Sequence, residues 1–171
     1  PITPRTAGTS LAGQAVGPGL VVDTGRYMNR ILEVDVERRV ARVQPGVIRD
    51  ELNRHLAQHG LVFGPDTPTS NRCMIGGMIG KHPCGVHSIL YGTTRDNLRE
   101  LDVVFADGVM ERVGELSRDA WDIRAQTNDR LGRGLGALRS IVSENIDLIR
   151  DAYPREDLIR RNTGYPLDVL G

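Results

Sequence analysis

Apolar residues in this chain fall into short runs and one-faced stripes separated by glycine and proline, and their spacing predicts the elements. Leu20-Val21-Val22-Asp23 is a short apolar run between Gly19 and Gly25, the pattern of a buried strand. Residues 28–34 and 40–44 are rich in β-formers, and the charged stretch 35–39 between them predicts a hairpin loop. Pro45-Gly46 ends the second of these strands. Val47, Leu52, Leu56 and Leu61 then recur at helical spacing, which predicts an amphipathic helix over residues 48–59, closed by Gly60. Residues 98–106 and 109–113 predict two more strands, joined by the hairpin turn Asp107-Gly108. From Arg118 the pattern turns helical, through Leu131, Leu135, Leu138, Ile141 and Val142 to Ile146, Leu148 and Ile149. Gly132, Gly134 and Gly136 each weaken a helix by about 1 kcal/mol relative to alanine, so this helix is expected mainly after Ala137. Strands with one interposed helix, followed by a helical tail, make an α+β architecture rather than regular βαβ winding.

Composition narrows the classes. At 171 residues the chain has room for one sizeable domain or two small subdomains. Its 22 basic and 22 acidic residues cancel, so no global field recruits nucleic acid or an acidic membrane surface. Two phenylalanines, four tyrosines and one tryptophan offer no stacking platform for single-stranded nucleic acid. No apolar run approaches the ~20 residues of a membrane span, and no signal-peptide pattern is present, so a cytoplasmic location is expected. Cys73 and Cys84 match no zinc spacing and are too few for a disulfide scaffold, so both are read as reduced thiols. The best motif lies directly after Pro1-Ile2-Thr3-Pro4, and another patterned stretch lies directly before Leu170-Gly171. The expectation is therefore a piece of a longer polypeptide.

Two glycine-rich stretches carry the candidate chemistry. The first is Pro4-Arg5-Thr6-Ala7-Gly8-Thr9-Ser10-Leu11-Ala12-Gly13-Gln14. The second is Ile75-Gly76-Gly77-Met78-Ile79-Gly80-Lys81-His82-Pro83-Cys84-Gly85, running on to Tyr91-Gly92. Neither fits G-x-G-x-x-G or the P-loop pattern. Both share the physics of those loops, since glycines let backbone approach an anion and successive N–H groups form a concave nest. Two such loops meeting at one place suit a ligand with two phosphates; a single loop of this kind is more often a set of tight turns.

The first stretch resembles the pyrophosphate loop of FAD-linked oxidases of the vanillyl-alcohol oxidase and p-cresol methylhydroxylase type. Gly64-Pro65-Asp66 through Gly80, and Cys84-Gly85 to Tyr91-Gly92, resemble that family's second flavin-contacting segment. Leu101-Asp102-Val103-Val104-Phe105-Ala106-Asp107-Gly108 resembles the strand and turn that follow it. Within the family the chain is most similar to the D-lactate, glycolate and D-2-hydroxyglutarate dehydrogenase branch. Large bacterial members of that branch carry a C-terminal iron–sulfur domain, and Arg161-Asn162-Thr163-Gly164-Tyr165-x-Leu167 recurs in them.

The resemblance implies a truncated p-cresol methylhydroxylase-type FAD-binding domain, a mixed sheet with flanking helices. Residues 1–114 would form its α/β core, opening in the last strand of the β-α-β unit that members carry there, and residues 115–171 a helical segment. It implies that Thr6, Ala7, Gly8, Thr9 and Ser10 present N–H groups to the FAD pyrophosphate. Thr67, Thr69, Ser70, Gly76, Gly77 and Met78 would line the diphosphate and ribityl side, and Gly85, Ser88, Tyr91 and Gly92 would approach the flavin. Arg5, Gln14, Pro65, Gly80, Lys81 and His82 complete the cofactor-binding candidates. The implied activity is oxidation of a D-2-hydroxy acid by hydride transfer to flavin N5. Electrons would leave through an iron–sulfur domain or a quinone, in the cytoplasm or peripheral to the inner membrane.

No catalytic residue is assigned, because in this branch the substrate carboxylate, any metal and the base near the α-carbon belong largely to a cap domain not seen here. No Gly-x-Glu-Gly-Thr-Leu-Gly segment is found either. One departure stands out: relatives usually carry Asn-Asn-Ser where this chain has Lys81-His82-Pro83. Asparagine donates and accepts, lysine only donates, and proline lacks its N–H. Two other readings therefore stay open, a flavin- or nucleotide-binding module without turnover and a structural domain with the glycines as turns.

Other reactive residues read more plainly. His82 and His87 could tether a flavin but fit better as loop histidines, and Cys84 as a small residue beside Gly85. His55 and His59 have metal-ligand spacing with no third ligand, and Arg160-Arg161 reads as a solvated charge pair. An unpaired strand edge would favour self-association.

Overall fold

In the computed structural model, residues 1–155, 157–158 and 165–170 are described. Arg160-Arg161 and Arg161 to Gly164 of the late motif lie outside them. The chain divides into two compact units, the first holding Pro1–Asn97 and the second Leu98–Leu158.

The first unit opens with β1 (Ile2–Arg5) and β2 (Leu20–Asp23), paired in parallel with Ile2 opposite Leu20 and Arg5 opposite Asp23. A parallel pair needs a long crossover. Here residues 6–19, the first glycine-rich stretch, supply it. β2 forms where the apolar run predicts a strand, but it is not buried: Leu20 is 62% exposed, Val21 39% and Val22 42%. Among the described residues only β1 pairs with it, and apolar sequence alone does not provide a covering layer. β3 (Ile31–Asp35) and β4 (Val40–Val43) form the expected antiparallel hairpin, with Arg39 left-handed in its loop at φ 55°.

Helix α1 (Arg49–Leu56) continues as a 3-10 turn over Ala57–His59 and stops at Gly60, which is left-handed at φ 67°. Asp50 and Glu51 in its first turn and Arg54 and His55 in its last complement the helix dipole. Leu52 and Leu56 face inward and pack with Val47, Cys73, Ile75 and Met78 into the core of this unit, backed by the inward residues of β3 and β4. Asn53 clamps the returning chain, donating to Phe63 O at 3.1 Å and accepting from Phe63 N–H at 2.7 Å.

The second glycine-rich stretch is not the open loop its composition suggests. Ile75–Lys81 is a helix, α2, and Ser88–Tyr91 is a single turn, α3. Three glycines lower helix propensity by about 1 kcal/mol each. Tertiary contact compensates at two of them. A Cβ on Gly76 would lie 2.6 Å from Pro45 Cβ, and one on Gly77 would lie 2.5 Å from Thr6 Oγ1. The start of α2 is held beside the start of α1 by Arg49 N–H to Cys73 O at 3.0 Å and Ile75 N–H to Val47 O at 2.9 Å.

The second unit contains the hairpin β5 (Glu100–Val104) and β6 (Met110–Gly114), turning at Gly108, and helices α4 (Arg118–Ala125), α5 (Arg130–Glu144) and α6 (Ile146–Ala152). Helix α5 begins earlier than its glycines suggest. Its N-cap Asp129 accepts from Gly132 N–H at 2.8 Å, and Gly132 sits where a Cβ would be 2.2 Å from Thr127 O. Among the described residues the strand pairing is thus mixed, one parallel and two antiparallel ladders in three separate two-stranded sheets.

Candidate cofactor site

The first glycine-rich stretch leaves β1 at Arg5, whose carbonyl accepts from Thr24 N–H at 2.9 Å. Its guanidinium folds beneath the loop, so that a Cβ on Gly8 would lie 2.9 Å from Arg5 Nη2. Gly8 is left-handed at φ 67°, which a larger residue would resist. Arg5 Nε is buried and has no hydrogen-bond partner among the described residues. A buried donor left unpaired costs about 1–3 kcal/mol, so such atoms mark places completed by something else.

Two contacts join this loop to α2, on opposite sides of the sequence. The Thr6 hydroxyl lies directly over Gly77, as its 2.5 Å distance from a notional Cβ shows. Lys81 Nζ donates to Ser10 Oγ at 3.0 Å, across 71 residues. The Ser10 hydroxyl in turn donates to Gln14 Oε1. The N–H groups of Ile75 and Gly76 are held by Val47 and Pro45 carbonyls. Thr6 and Ser10 of the first stretch therefore meet Gly77 and Lys81 of the second, as the two glycine stretches suggest.

A second grouping surrounds the turn after α2. His82 ends the helix in the left-handed region at φ 56°. Its Nε2 is 3.3 Å from Thr93 Oγ1, and Thr93 donates from its hydroxyl and its N–H to Asp96 Oδ2 at 2.8 and 2.7 Å. Burial, and then the neighbouring Arg95 charge, hold the His82 pKa below the ordinary histidine value against the pull of Asp96. For Asp96, burial acts upward, but the Thr93 hydrogen bonds, Arg95 and His82 outweigh it and lower the pKa. Asp66 reaches the same turn, accepting from His87 N–H at 3.2 Å and pairing with His87 Nδ1 at 2.9 Å. Gly85 packs on Asp66 and Gly64 on the Tyr91 ring, so tightly that Cβ atoms would lie 2.0 Å from Asp66 Oδ1 and 2.4 Å from Tyr91 Cγ.

Several predicted residues make their side-chain contacts within the scaffold. Met78 is 2% exposed in the core. The Thr67 hydroxyl lies 3.2 Å from Thr69 Oγ1 and donates to Cys73 Sγ at 3.3 Å, and Ser70 Oγ donates to Asp50 Oδ2 at 3.2 Å. Ser88 accepts from Gly85 N–H at 2.9 Å, and Pro65 O accepts from Arg49 Nε at 3.1 Å. Gly80 has open space around it, and Gly92 is left-handed at φ 74° beside Asp96. His55 and His59 touch edge to face at 6.0 Å, and no metal-holding cluster occurs among the described residues. Neither Cys73 nor Cys84 is in a disulfide; the first is buried and the second half-buried.

Sequence reasoning did not single out Thr93, Thr94 and Asp96. Thr94 is 2% exposed with its hydroxyl unpaired among the described residues. The available signal was charge. Between Pro1 and Val22 the only charged side chain is Arg5. Between Thr67 and Arg95 there is no aspartate or glutamate, against Arg72, Lys81 and Arg95. A chain neutral overall has kept acids out of both glycine stretches, and the donor set fits an anionic group.

Residues 1–114 match the FAD binding domain family, and the chain belongs to it. FAD is the cofactor that family membership indicates. Among curated relatives, the chain is 42% identical over 171 residues to D-2-hydroxyglutarate dehydrogenase of Pseudomonas putida, spanning 99% of this chain and 17% of that protein. It is 36% identical over 165 residues to D-2-hydroxyglutarate dehydrogenase of Escherichia coli, spanning 96% and 16%. It is 37% identical over 147 residues to glycolate oxidase subunit GlcD of Bacillus subtilis, spanning 85% and 31%. Among solved structures, an alkyldihydroxyacetonephosphate synthase superposes with a TM-score of 0.59 at 26% identity, over 67% of this chain and 21% of that one. The chain thus spans 16–17% of the D-2-hydroxyglutarate dehydrogenases named here.

Proposed function

We propose that this chain holds FAD for an enzyme that oxidises a small D-2-hydroxy acid. The observation that carries the reading is the meeting of two acid-free glycine segments through Thr6 on Gly77 and Lys81 on Ser10. The hydroxy-acid dehydrogenases and oxidases among its relatives support the reaction class.

In this reading Thr6, Ala7, Gly8, Thr9 and Ser10 face the diphosphate, with Arg5 beneath the loop as a half-buried cation whose Nε is out of solvent. Gly77 has no side chain, so backbone there can come within contact distance of the cofactor. Thr67, Thr69 and Ser70 hold the approach segment rigid through their mutual and Asp50 hydrogen bonds. Gly85, Ser88, Tyr91 and Gly92 shape the turn toward the flavin, which Asp66 and Asp96 brace. When bound, FAD supplies the hydride acceptor at N5. Substrate binding, proton removal and electron exit to an iron–sulfur domain or quinone belong to other parts of the protein. A cytoplasmic location, peripheral to the inner membrane, is part of the same proposal; among the described residues no helix is long and apolar enough to cross a membrane.

The complete polypeptide, purified, is expected to be yellow, to bleach with dithionite and to reduce a dye with D-2-hydroxyglutarate, D-lactate or glycolate. A colourless protein that takes up no added FAD refutes cofactor binding. A yellow protein that reduces no dye with any D-2-hydroxy acid refutes the reaction and leaves a binding module.

A further inference from the structure

Lys81 sits at the last position of α2, exposed, and its ammonium turns to the first glycine loop. An ammonium carries three donors. One goes to Ser10 Oγ, and Lys81 forms no ion pair with any described residue. No acid lies in residues 1–22 or 67–95, and the acids nearest Lys81 in sequence, Asp66 and Asp96, are engaged with His87 and with Thr93. Ser10 is already engaged with Gln14 and receives the Ala12 N–H at 3.4 Å, so it does not need the lysine to satisfy it. Across the loop, Arg5 offers a second cation with a buried Nε that has no hydrogen-bond partner among the described residues. Two cations with no ion-pair partner among the described residues thus flank one glycine loop, one folded beneath it and one on a flexible stem.

We propose that Lys81 is an electrostatic clasp for the cofactor diphosphate: it closes the loop through Ser10 and supplies a charge-assisted hydrogen bond to a phosphate oxygen. The assignment rests on the FAD reading above and adds to it the residue that sets how strongly binding depends on ionic strength. A hydrogen bond to a charged group exceeds a neutral one, and an exposed charge loses its reach as salt shortens the Debye length from about 10 Å at 0.1 M to about 3 Å at 1 M. Lys81 therefore acts most at low salt, whereas the half-buried Arg5, with its Nε out of solvent, is screened less.

The test is FAD titration of the complete polypeptide, stripped of cofactor, followed by quenching of flavin fluorescence between 20 mM and 1 M salt, for the unaltered protein, Lys81→Gln, Lys81→Met and Lys81→Arg. The two neutral variants are expected to bind FAD roughly tenfold more weakly at low salt. Their deficit should shrink to within about twofold at 1 M salt, while Lys81→Arg keeps the original salt dependence. Equal affinity and equal salt dependence in all four proteins overturn the clasp and leave the FAD reading standing. A loss of affinity in the neutral variants that is the same at every salt concentration also overturns it, since the lysine would then act by shape. Failure of the unaltered protein to bind FAD overturns the underlying reading instead.

Discussion

The contact between Thr6 and Gly77 makes a prediction whose sign depends on a second residue. A methyl added at Gly77 would meet Thr6 Oγ1 at 2.5 Å, while Thr6 Cβ stays at 3.9 Å, an ordinary contact distance. Gly77→Ala has two opposed effects. Alanine favours the helix by about 1 kcal/mol over glycine. The clash forces Thr6 off its rotamer or moves α2 from the loop, and overpacking of this kind costs about 1–3 kcal/mol. The net expectation is destabilisation by about 0–2 kcal/mol. In the Thr6→Ala background the hydroxyl is gone and the nearest remaining atom is the one at 3.9 Å. The propensity gain then stands alone, and Gly77→Ala should stabilise by up to about 1 kcal/mol, or roughly 2–4 °C in Tm for a domain of this size. Urea unfolding followed by far-UV circular dichroism on all four proteins completes the cycle, with the m-value as a check that the unfolded state is unchanged. The predicted coupling is at least 1 kcal/mol. If Gly77→Ala changes stability equally in both backgrounds, Thr6 does not lie over Gly77 and the meeting of the two glycine segments is wrong.

Gly85→Ala should behave differently, because its Cβ would meet both Asp66 Oδ1 at 2.0 Å and the Asp66 backbone oxygen at 2.4 Å. A destabilisation of about 1–3 kcal/mol is expected, and Asp66→Ala should fail to relieve it in the same unfolding assay; full rescue would contradict the backbone approach. His82 gives a pH dependence. Its pKa is lowered in the folded state, so above the ordinary histidine value of about 6.5 it is neutral in both states and contributes nothing. As pH falls through 6.5 the unfolded chain takes up the proton first, and stability declines until the folded-state pKa is passed. His82→Asn, which tolerates the left-handed backbone, should flatten that decline in denaturation curves between pH 7 and pH 5; an unchanged slope would remove His82 as its source.

The parts legible in the sequence were those governed by neighbours along the chain. The stripe of Leu52 and Leu56, acids ahead of bases, and Gly60 at the stop specify α1, and the structure has it within a residue or so. Asp107-Gly108 specifies its hairpin because a left-handed glycine reverses the chain locally. Helix α2 was not legible, because glycines at positions 76, 77 and 80 erase both propensity and amphipathic pattern. What makes it a helix is distant: Val47 and Pro45 carbonyls hold its first N–H groups, and Ile75 and Met78 enter the core beside Leu52. The braces at Asp66 and Asp96 differ for the same reason. Asp96 caps a turn three residues away and could have been suspected, whereas Asp66 reaches His87 across 21 residues.

By itself the sequence determined α1, the β3–β4 and β5–β6 hairpins and the exclusion of acids from both glycine stretches. These are properties of single residues and near neighbours. The tertiary structure alone decided that Thr6 lies on Gly77, that Lys81 reaches Ser10, and that the apolar run at β2 stays exposed. Each depends on which surfaces the packing of α1, α2 and the β3–β4 hairpin brings together or leaves uncovered, and no spacing within the chain encodes a distance across it.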